Sequence, residues 1–404
     1  MTKPLAPVSI VYNESLILFI LVAINFTNIM DFVIIAPLNP FFKEAFHINT
    51  QEFGMLVASY TLSAGISGFL GFFWVDKLDR RKALLLLYFG FMLGNTLCAI
   101  APNFILLLSA RIVAGCFGGV IGALVLSVVG DIIPPERRGK ATGIVMTAFS
   151  AASVIGIPSG LMLAERYDWN APFILLSVLS LLVFILIYFK FPSVKTHLAQ
   201  DNPDQPLVIL LKLLKTKNIQ RALLFSIFVM LSGFTVVPYI SDYMVNNVML
   251  PKEDLRYIYL FGGIATVVSG PIVGKLADKY GKQKIFAMVG GISIIPIFLI
   301  THIGVVNKLL LFTISTTFFI FFGGRFVPAI AITTAAVEAK NRGKFMSINS
   351  SVQQLSNALA TSIASVFIYN TSTGQLMGFG TVGIIACVFT ITSILLSFRV
   401  KQIS

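Results

Sequence analysis

The sequence predicts an all-α integral membrane protein with twelve transmembrane helices in two pseudo-symmetric six-helix bundles. Three observations carry that expectation. Of the 404 residues, 56% are hydrophobic and 12% charged, about half the charge of a soluble domain. About twelve apolar segments are long enough to cross a bilayer, for which about 20 residues suffice. Two basic loop sequences recur about half a chain length apart. This composition excludes a soluble enzyme, a disordered chain and a nucleic-acid-binding domain.

The segments lie near residues 15–38, 52–75, 82–101, 104–132, 140–164 and 171–190, then 219–246, 255–277, 284–303, 308–336, 344–370 and 376–398. In lipid each must satisfy its backbone internally, so each reads as a helix. The first starts too late and runs too long for a cleaved signal peptide. With the termini and the even-to-odd connections on one side, 23 of the 30 Lys and Arg residues fall there. Five (Lys43, Arg166, Lys252, Arg256 and Lys308) fall on the other side, and Arg111 and Arg325 lie within spans. The positive-inside rule makes the rich side cytoplasmic. The expected location is therefore the inner membrane of a bacterial cell, with both termini in the cytoplasm. The net charge of +13 is then mostly a topology signal. Cys98, Cys116 and Cys387 sit in apolar runs and read as core packing, with no disulfide framework.

The one long polar stretch, 191–218, reads as a linker between an N-terminal bundle, 1–190, and a C-terminal bundle, 219–404. Duplication supports the division. Asp76-Lys77-Leu78-Asp79-Arg80-Arg81 after the second span returns 202 residues later as Asp278-Lys279-Tyr280-Gly281-Lys282-Gln283. Arg138-Gly139-Lys140 returns 204 residues later as Arg342-Gly343-Lys344.

An ionisable group at the membrane centre costs roughly 2.5–3.5 kcal/mol, so it needs a cavity or a partner. Asp31 shares one face of the first span with Asn25 and Asn28, as spacings of three dictate. The repeat puts Ser232 in the equivalent slot, so the shared scaffold does not require the acid. Asp31 reads as a proton switch; permanent pairing with an arginine is the alternative. Arg111 and Arg325 are the embedded cations. Each suits either neutralising a carboxylate or gripping an anionic substrate. The eleventh span carries Asn349, Gln353, Gln354, Ser356 and Asn357, which either line a cavity or bond helices together. Tyr60, Thr147, Ser150 and Tyr239 are further candidates for substrate contact, and the run from Tyr239 to Asp242 suits an external gate.

Several of these landmarks resemble the major facilitator superfamily of secondary transporters. Gly274-Lys275-Leu276-Ala277-Asp278-Lys279-Tyr280-Gly281-Lys282 is similar to that family's signature cytoplasmic loop. The first-half copy keeps Asp76, Lys77, Arg80 and Arg81 but carries Phe72 and Asp79 where the family has glycine. Arg111, Gly115 and Gly119 resemble the family's Arg-x-x-x-Gly motif. Gly156-Ile157-Pro158-Ser159-Gly160 is similar to an antiporter motif of the drug:proton branch, in its sugar and arabinose efflux variant. The resemblance implies gating roles for Asp76, Arg80, Arg81, Asp131, Gly156, Pro158, Gly160, Gly274, Asp278, Gly281 and Lys282. It favours Asp76 and Asp278 as carboxylates that dock on helix N-termini of the opposite half, near Gly343 and Gly139, in one state and leave them in the other. For Gly156, Pro158 and Gly160, close packing and a plain structural kink explain the residues equally well.

The expectation is a proton-coupled exporter of a small organic molecule, a drug or amphipathic metabolite, working by alternating access. Asp31, Arg111 and Arg325 would couple the proton. Uptake of an organic anion gripped by Arg111 and Arg325, and a transport-inactive sensor or scaffold, are the alternatives. No phosphate-binding loop of the Walker type is present. No metal site, no cofactor beyond the proton and no nucleic-acid partner are expected. The partners are the small-molecule substrate and the lipid bilayer, and the protein is expected to be a monomer.

Overall fold

A computed structural model describes residues 13–195, 198, 206–338 and 341–403. The first half contributes α1 (Glu14–Ile34), α2 (Thr50–Gly71), α3 (Arg80–Ala99), α4 (Phe104–Ile132), α5 (Pro135–Ala151 continued by Ile157–Arg166) and α6 (Ala171–Lys190). The second contributes α7 (Lys217–Phe234 continued by Ile240–Asn246), α8 (Leu255–Tyr280), α9 (Lys282–His302), α10 (Lys308–Gly324 continued by Phe326–Ala335), α11 (Arg342–Phe367) and α12 (Phe379–Ser397). Eleven of these are long and apolar enough to cross a membrane. The exception, α11, is the helix whose amides and serines dilute its hydrophobicity.

Pairing repeats between the halves. In the first, α1 packs on α5 and α6, α2 on α4, and α3 on α4 and α6. In the second, α7 packs on α11 and α12, α8 on α10, and α9 on α10 and α12. The halves meet mainly along α2 with α11 and α5 with α8. Glycines make that seam close: a Cβ on Gly65 would fall 2.7 Å from Leu355, and one on Gly263 would fall 2.8 Å from the Ser153 carbonyl oxygen.

Prolines set the breaks. A proline lacks the N–H that would reach the carbonyl four residues back. Pro238 therefore interrupts α7, where a 3-10 turn (Val237–Tyr239) intervenes. Pro328 leaves the Gly324 carbonyl without its helical donor, and α10 breaks at Arg325. In α5, Pro158 follows a π turn (Ala152–Gly156) in which the Ile157 amide reaches back five residues to the Ala152 carbonyl.

Three segments depart from the sequence expectation. The first span ends at Ile34, and Pro40 opens a separate short helix, Asn39–Phe46. The expected ends of the eleventh and twelfth spans instead form a two-stranded hairpin, β1 (Tyr369–Asn370) with β2 (Leu376–Met377). The linker is not wholly polar: Pro206–Lys215 is a helix whose Leu210 and Leu213 are buried in a cluster with Ile219, Phe225 and Phe345. The segment is apolar at seven of its ten positions, with Lys212 and Lys215 as its charges, and its amphipathic spacing is the local signal for that helix.

Candidate functional site

Glycines of α4 bring three chemically loaded side chains together. A Cβ at Gly115 would fall 2.4 Å from the Tyr60 carbonyl oxygen, and one at Gly119 would fall 2.3 Å from that of Ala64. Only glycine lets α2 approach α4 this closely. The approach lays the Tyr60 ring beneath Arg111, with the guanidinium carbon 4.2 Å from the ring centroid. Arg111 Nη1 then donates to Asp31 Oδ1 at 2.5 Å. Both side chains are sealed, at 1% and 0% exposure. The seal is incomplete chemically: Asp31 Oδ2, Arg111 Nε and the nearby Asn28 Oδ1 are buried without a hydrogen-bond partner. The Tyr60 hydroxyl also bears on the Asp31 carboxylate, so the acid, the cation and the phenol share one buried site.

The antiporter-like motif packs on the same stretch of α1. Cβ atoms at Gly156 and Gly160 would come within 3.2 Å of Met30 and 2.7 Å of Ile34, the residues either side of Asp31 along that helix face. The π turn just before Pro158 touches α8 of the other half. One short segment of α5 thus contacts both the helix of Asp31 and the seam between the halves.

The remaining candidates separate into groups. Asn25 Nδ2 donates to the Val145 carbonyl at 3.3 Å and so ties α1 to α5. Thr147 is exposed, with its hydroxyl bonded to the Ile144 carbonyl of its own helix, and Ser150 is half-buried beside it. Tyr239 is buried at the seam, donating to the Thr361 carbonyl at 3.1 Å and lying edge-on to Phe53. On α11, Asn349 and Asn357 are buried with their carbonyl oxygens unpartnered, as is the carbonyl oxygen of Gln354. Gln353 is half-buried in the same helix.

Arg325 stands apart from the Asp31 group. It is 1% exposed and meets no carboxylate among the described residues. Its Nη1 donates to Thr390 Oγ1 at 3.3 Å, while Nε and Nη2 have no partner. The Phe322 ring lies 4.8 Å from its guanidinium carbon, a cation–π contact that partly replaces lost hydration.

At the loops, Arg80 donates to Asp76 at 2.8 Å and to Asp131 at 2.6 Å, and Arg81 donates to the Tyr188 carbonyl. These contacts stay within the first half. Asp79, one of the two positions unlike the family loop, caps α3 by accepting from the Arg81 amide at 2.9 Å. It also accepts from the Val194 amide at 3.1 Å and from Ser193 Oγ. Burial works to raise its pKa, but those hydrogen bonds and nearby Lys195 hold the carboxyl below its ordinary value. In the second copy, Gly281 has φ of +100°, which requires glycine before Lys282 opens α9. Gly274 meets only Val327. Among the described residues no hydrogen bond or ion pair is made by the Asp278 side chain, and Cβ atoms at Gly139 and Gly343 would meet nothing within 4 Å. The inter-half docking expected of Asp76 and Asp278 is therefore not made in this conformation.

The opposite end of the bundle is closed by groups whose pairing the sequence did not disclose. Lys43, counted there only as a loop charge, donates to Asp242 across the halves. No local spacing links residues 199 positions apart. Burial lowers the Lys43 pKa against the opposing pull of Asp242.

Comparison with known proteins agrees with this architecture. The model of the Major Facilitator Superfamily matches residues 21–361 and 223–402. An uncharacterised MFS-type transporter of Bacillus subtilis (strain 168), YbcL, is 27% identical, with 83% of this chain and 84% of that protein covered. A probable sugar efflux transporter of Mannheimia succiniciproducens is 24% identical, with coverage of 69% and 68%. Among solved structures, a bacterial homologue of the human lysosomal transporter Spinster, inward-facing and occupied, superposes with a TM-score of 0.75 at 14% identity, covering 96% of both chains. A D-xylose–proton symporter superposes with a TM-score of 0.73 at 16% identity, covering 93% and 97%. With a family match spanning nearly the whole chain and a repeated six-helix pairing pattern, this chain belongs to the Major Facilitator Superfamily and is a transporter.

Proposed function

We propose that the protein exports a small organic molecule in exchange for protons, by alternating access across the bacterial inner membrane with both termini cytoplasmic. The observation that carries this reading is the sealed Asp31–Arg111 pair with its unpartnered Oδ2 and Nε. A proton arriving at Asp31 turns an ion pair into a neutral acid beside a cation. That weakens the contact, frees Arg111 to turn towards cargo or water, and loosens α1 against the π turn of α5. Through α8 the same turn reaches the second half, so a local charge change biases the rocking of the two bundles.

The cargo wall on the second half is α11. The side-chain carbonyl oxygens of Asn349, Gln354 and Asn357 have no hydrogen-bond partner among the described residues, and Gln353 lies half-buried beside them. Amides that served only to glue helices would be bonded. Unbonded amide oxygens suit a hydroxylated or amphipathic cargo, in keeping with the sugar efflux proteins among the relatives. Tyr60 and Tyr239 would frame that cargo from the two halves.

The test is transport in proteoliposomes with an imposed pH gradient. Wild-type protein should accumulate cargo against its gradient, and Asp31→Asn should carry it only downhill. Uphill transport by Asp31→Asn equal to wild type would end the proton-switch reading. A second reading, movement of an organic anion, is favoured by one observation: Arg325 lacks a carboxylate among the described residues. Competition by carboxylates that vanishes in Arg325→Gln would select it.

A further inference from the structure

Arg325 is a buried cation whose counter-charge the described residues do not supply. Their buried carboxylates are engaged elsewhere: Asp31 with Arg111, Asp242 with Lys43, and Asp79 at the start of α3. The guanidinium meets one acceptor, the Thr390 hydroxyl of α12, at 3.3 Å from Nη1. That hydroxyl is itself committed as a donor to the Ala386 carbonyl at 2.8 Å. Nε and Nη2 have no partner among the described residues. In the planar guanidinium fork, Nε–H and one Nη2–H run parallel along a single edge. The two unbonded nitrogens therefore present a matched pair of donors in one direction. Gly233 of α7 leaves that edge uncovered: a Cβ there would fall 3.1 Å from Nη2 and 2.2 Å from the Phe322 ring. Phe322 and Phe326 flank the group, with ring centroids 4.8 Å and 5.9 Å from the guanidinium carbon. The site lies within the second bundle. Arg325 reaches towards α12, which packs mainly on α9 and α7, whereas the halves meet mainly along α2 with α11 and α5 with α8.

We infer that the Nε–Nη2 edge of Arg325 binds a small monovalent inorganic anion of the chloride type, held as a resident counter-ion of the second bundle. A buried donor without an acceptor is rare in a native fold, and here two lie side by side on a full positive charge. A monatomic anion accepts from both N–H groups at once and cancels that charge. A phosphate or sulfate brings more charge and more oxygens than two donors and an aromatic wall satisfy. The ion differs in role from the organic anion of the second reading above: it stays with the bundle and is not carried. With it in place, Arg325 has in the second bundle the compensation that Asp31 gives Arg111 in the first. Without it, the second bundle holds a dry, unpaired charge, which destabilises the fold.

The test uses the full chain in detergent, melted in sodium chloride and in sodium gluconate of equal ionic strength. Chloride should raise the melting temperature of wild type, by a constant step for each tenfold increase above its dissociation constant, as binding linkage requires. Bromide should substitute for it. Arg325→Met should melt at one temperature in both salts. Arg325→Lys keeps the charge but loses the paired edge, and should need roughly tenfold more chloride for the same shift. Wild-type crystals grown in bromide supply a readout that no variant's folding affects: an anomalous peak should lie in contact with Nε and Nη2. Equal melting of wild type in the two salts overturns the inference, as does a chloride shift that survives in Arg325→Met or a bromide peak that avoids Arg325. Acetate that matches chloride step for step also overturns it and assigns the site to a carboxylate. These measurements involve neither flux nor a pH gradient, so their failure is distinct from failure of proton-coupled export.

Discussion

Asp31 and Arg111 meet at 2.5 Å from helices 80 residues apart, and each keeps one polar atom unbonded. Removing one partner from a buried pair is expected to cost about 3–5 kcal/mol, because the other is left uncompensated. Asp31→Asn and Arg111→Gln should therefore each lower the melting temperature in detergent. Removing both charges should recover much of the loss while leaving uphill transport abolished. A double variant no more stable than the worse single would show that the two do not act as a pair.

Arg325 behaves as the opposite case. It is a buried cation with a hydroxyl and an aromatic face in place of a carboxylate. Replacement by methionine removes the desolvation burden and preserves most of the packing, so stability should stay level or rise. Transport should fall by about tenfold or more if the charge serves cargo or coupling. Melting temperature and flux measured on the same Arg325→Met preparation decide this: unchanged flux would make the arginine structural only.

Much of this fold is legible in the sequence because its cause is local. Lipid demands long apolar helices, and loop charge sets orientation. The fourth and sixth spans match their expected limits for that reason. The hairpin at Tyr369–Met377 and the helix at Pro206–Lys215 were not legible. The hairpin takes its structure from distant contacts, while the helix is apolar at seven of its ten positions and is obscured only by the prolines and charges of the stretch around it. The site divides the same way. Asp31, Arg111 and Tyr60 stand out as polar groups in apolar helices, but Lys43 looks like any loop lysine until Asp242 is placed beside it.

The glycines of α4 and Gly139 in the first turns of α5 predict opposite mutational signs. Gly115→Ala would put a methyl group 2.4 Å from the Tyr60 carbonyl oxygen and 2.2 Å from Ser63 Oγ. Backbone cannot yield as a side chain can, so about 1–3 kcal/mol of destabilisation is expected. Gly139→Ala, in open space within a helix, should be neutral or stabilising by up to about 1 kcal/mol. Paired melting curves test this, and destabilisation by Gly139→Ala would mean that its helix is packed more closely than the structure shows.

Asp79 gives a pH dependence whose sign follows from its partners. Its folded pKa lies below the ordinary value because the charged form accepts hydrogen bonds from Ser193 and from the Arg81 and Val194 amides. The stabilisation is therefore fully present above the unfolded pKa, about 3.9, and is lost as pH falls through the folded value. Asp79→Asn keeps a helix-capping oxygen but cannot ionise. The gap in melting temperature between wild type and Asp79→Asn should be full at neutral pH and should narrow progressively as the pH falls below the unfolded value of about 3.9. Asp79→Ala, which also loses the cap, should lie about 1 kcal/mol below Asp79→Asn across the whole range. A constant gap between wild type and Asp79→Asn would show that the charge contributes nothing. The carboxylate would then be serving only as a hydrogen-bonding post between the start of α3 and the chain leaving α6.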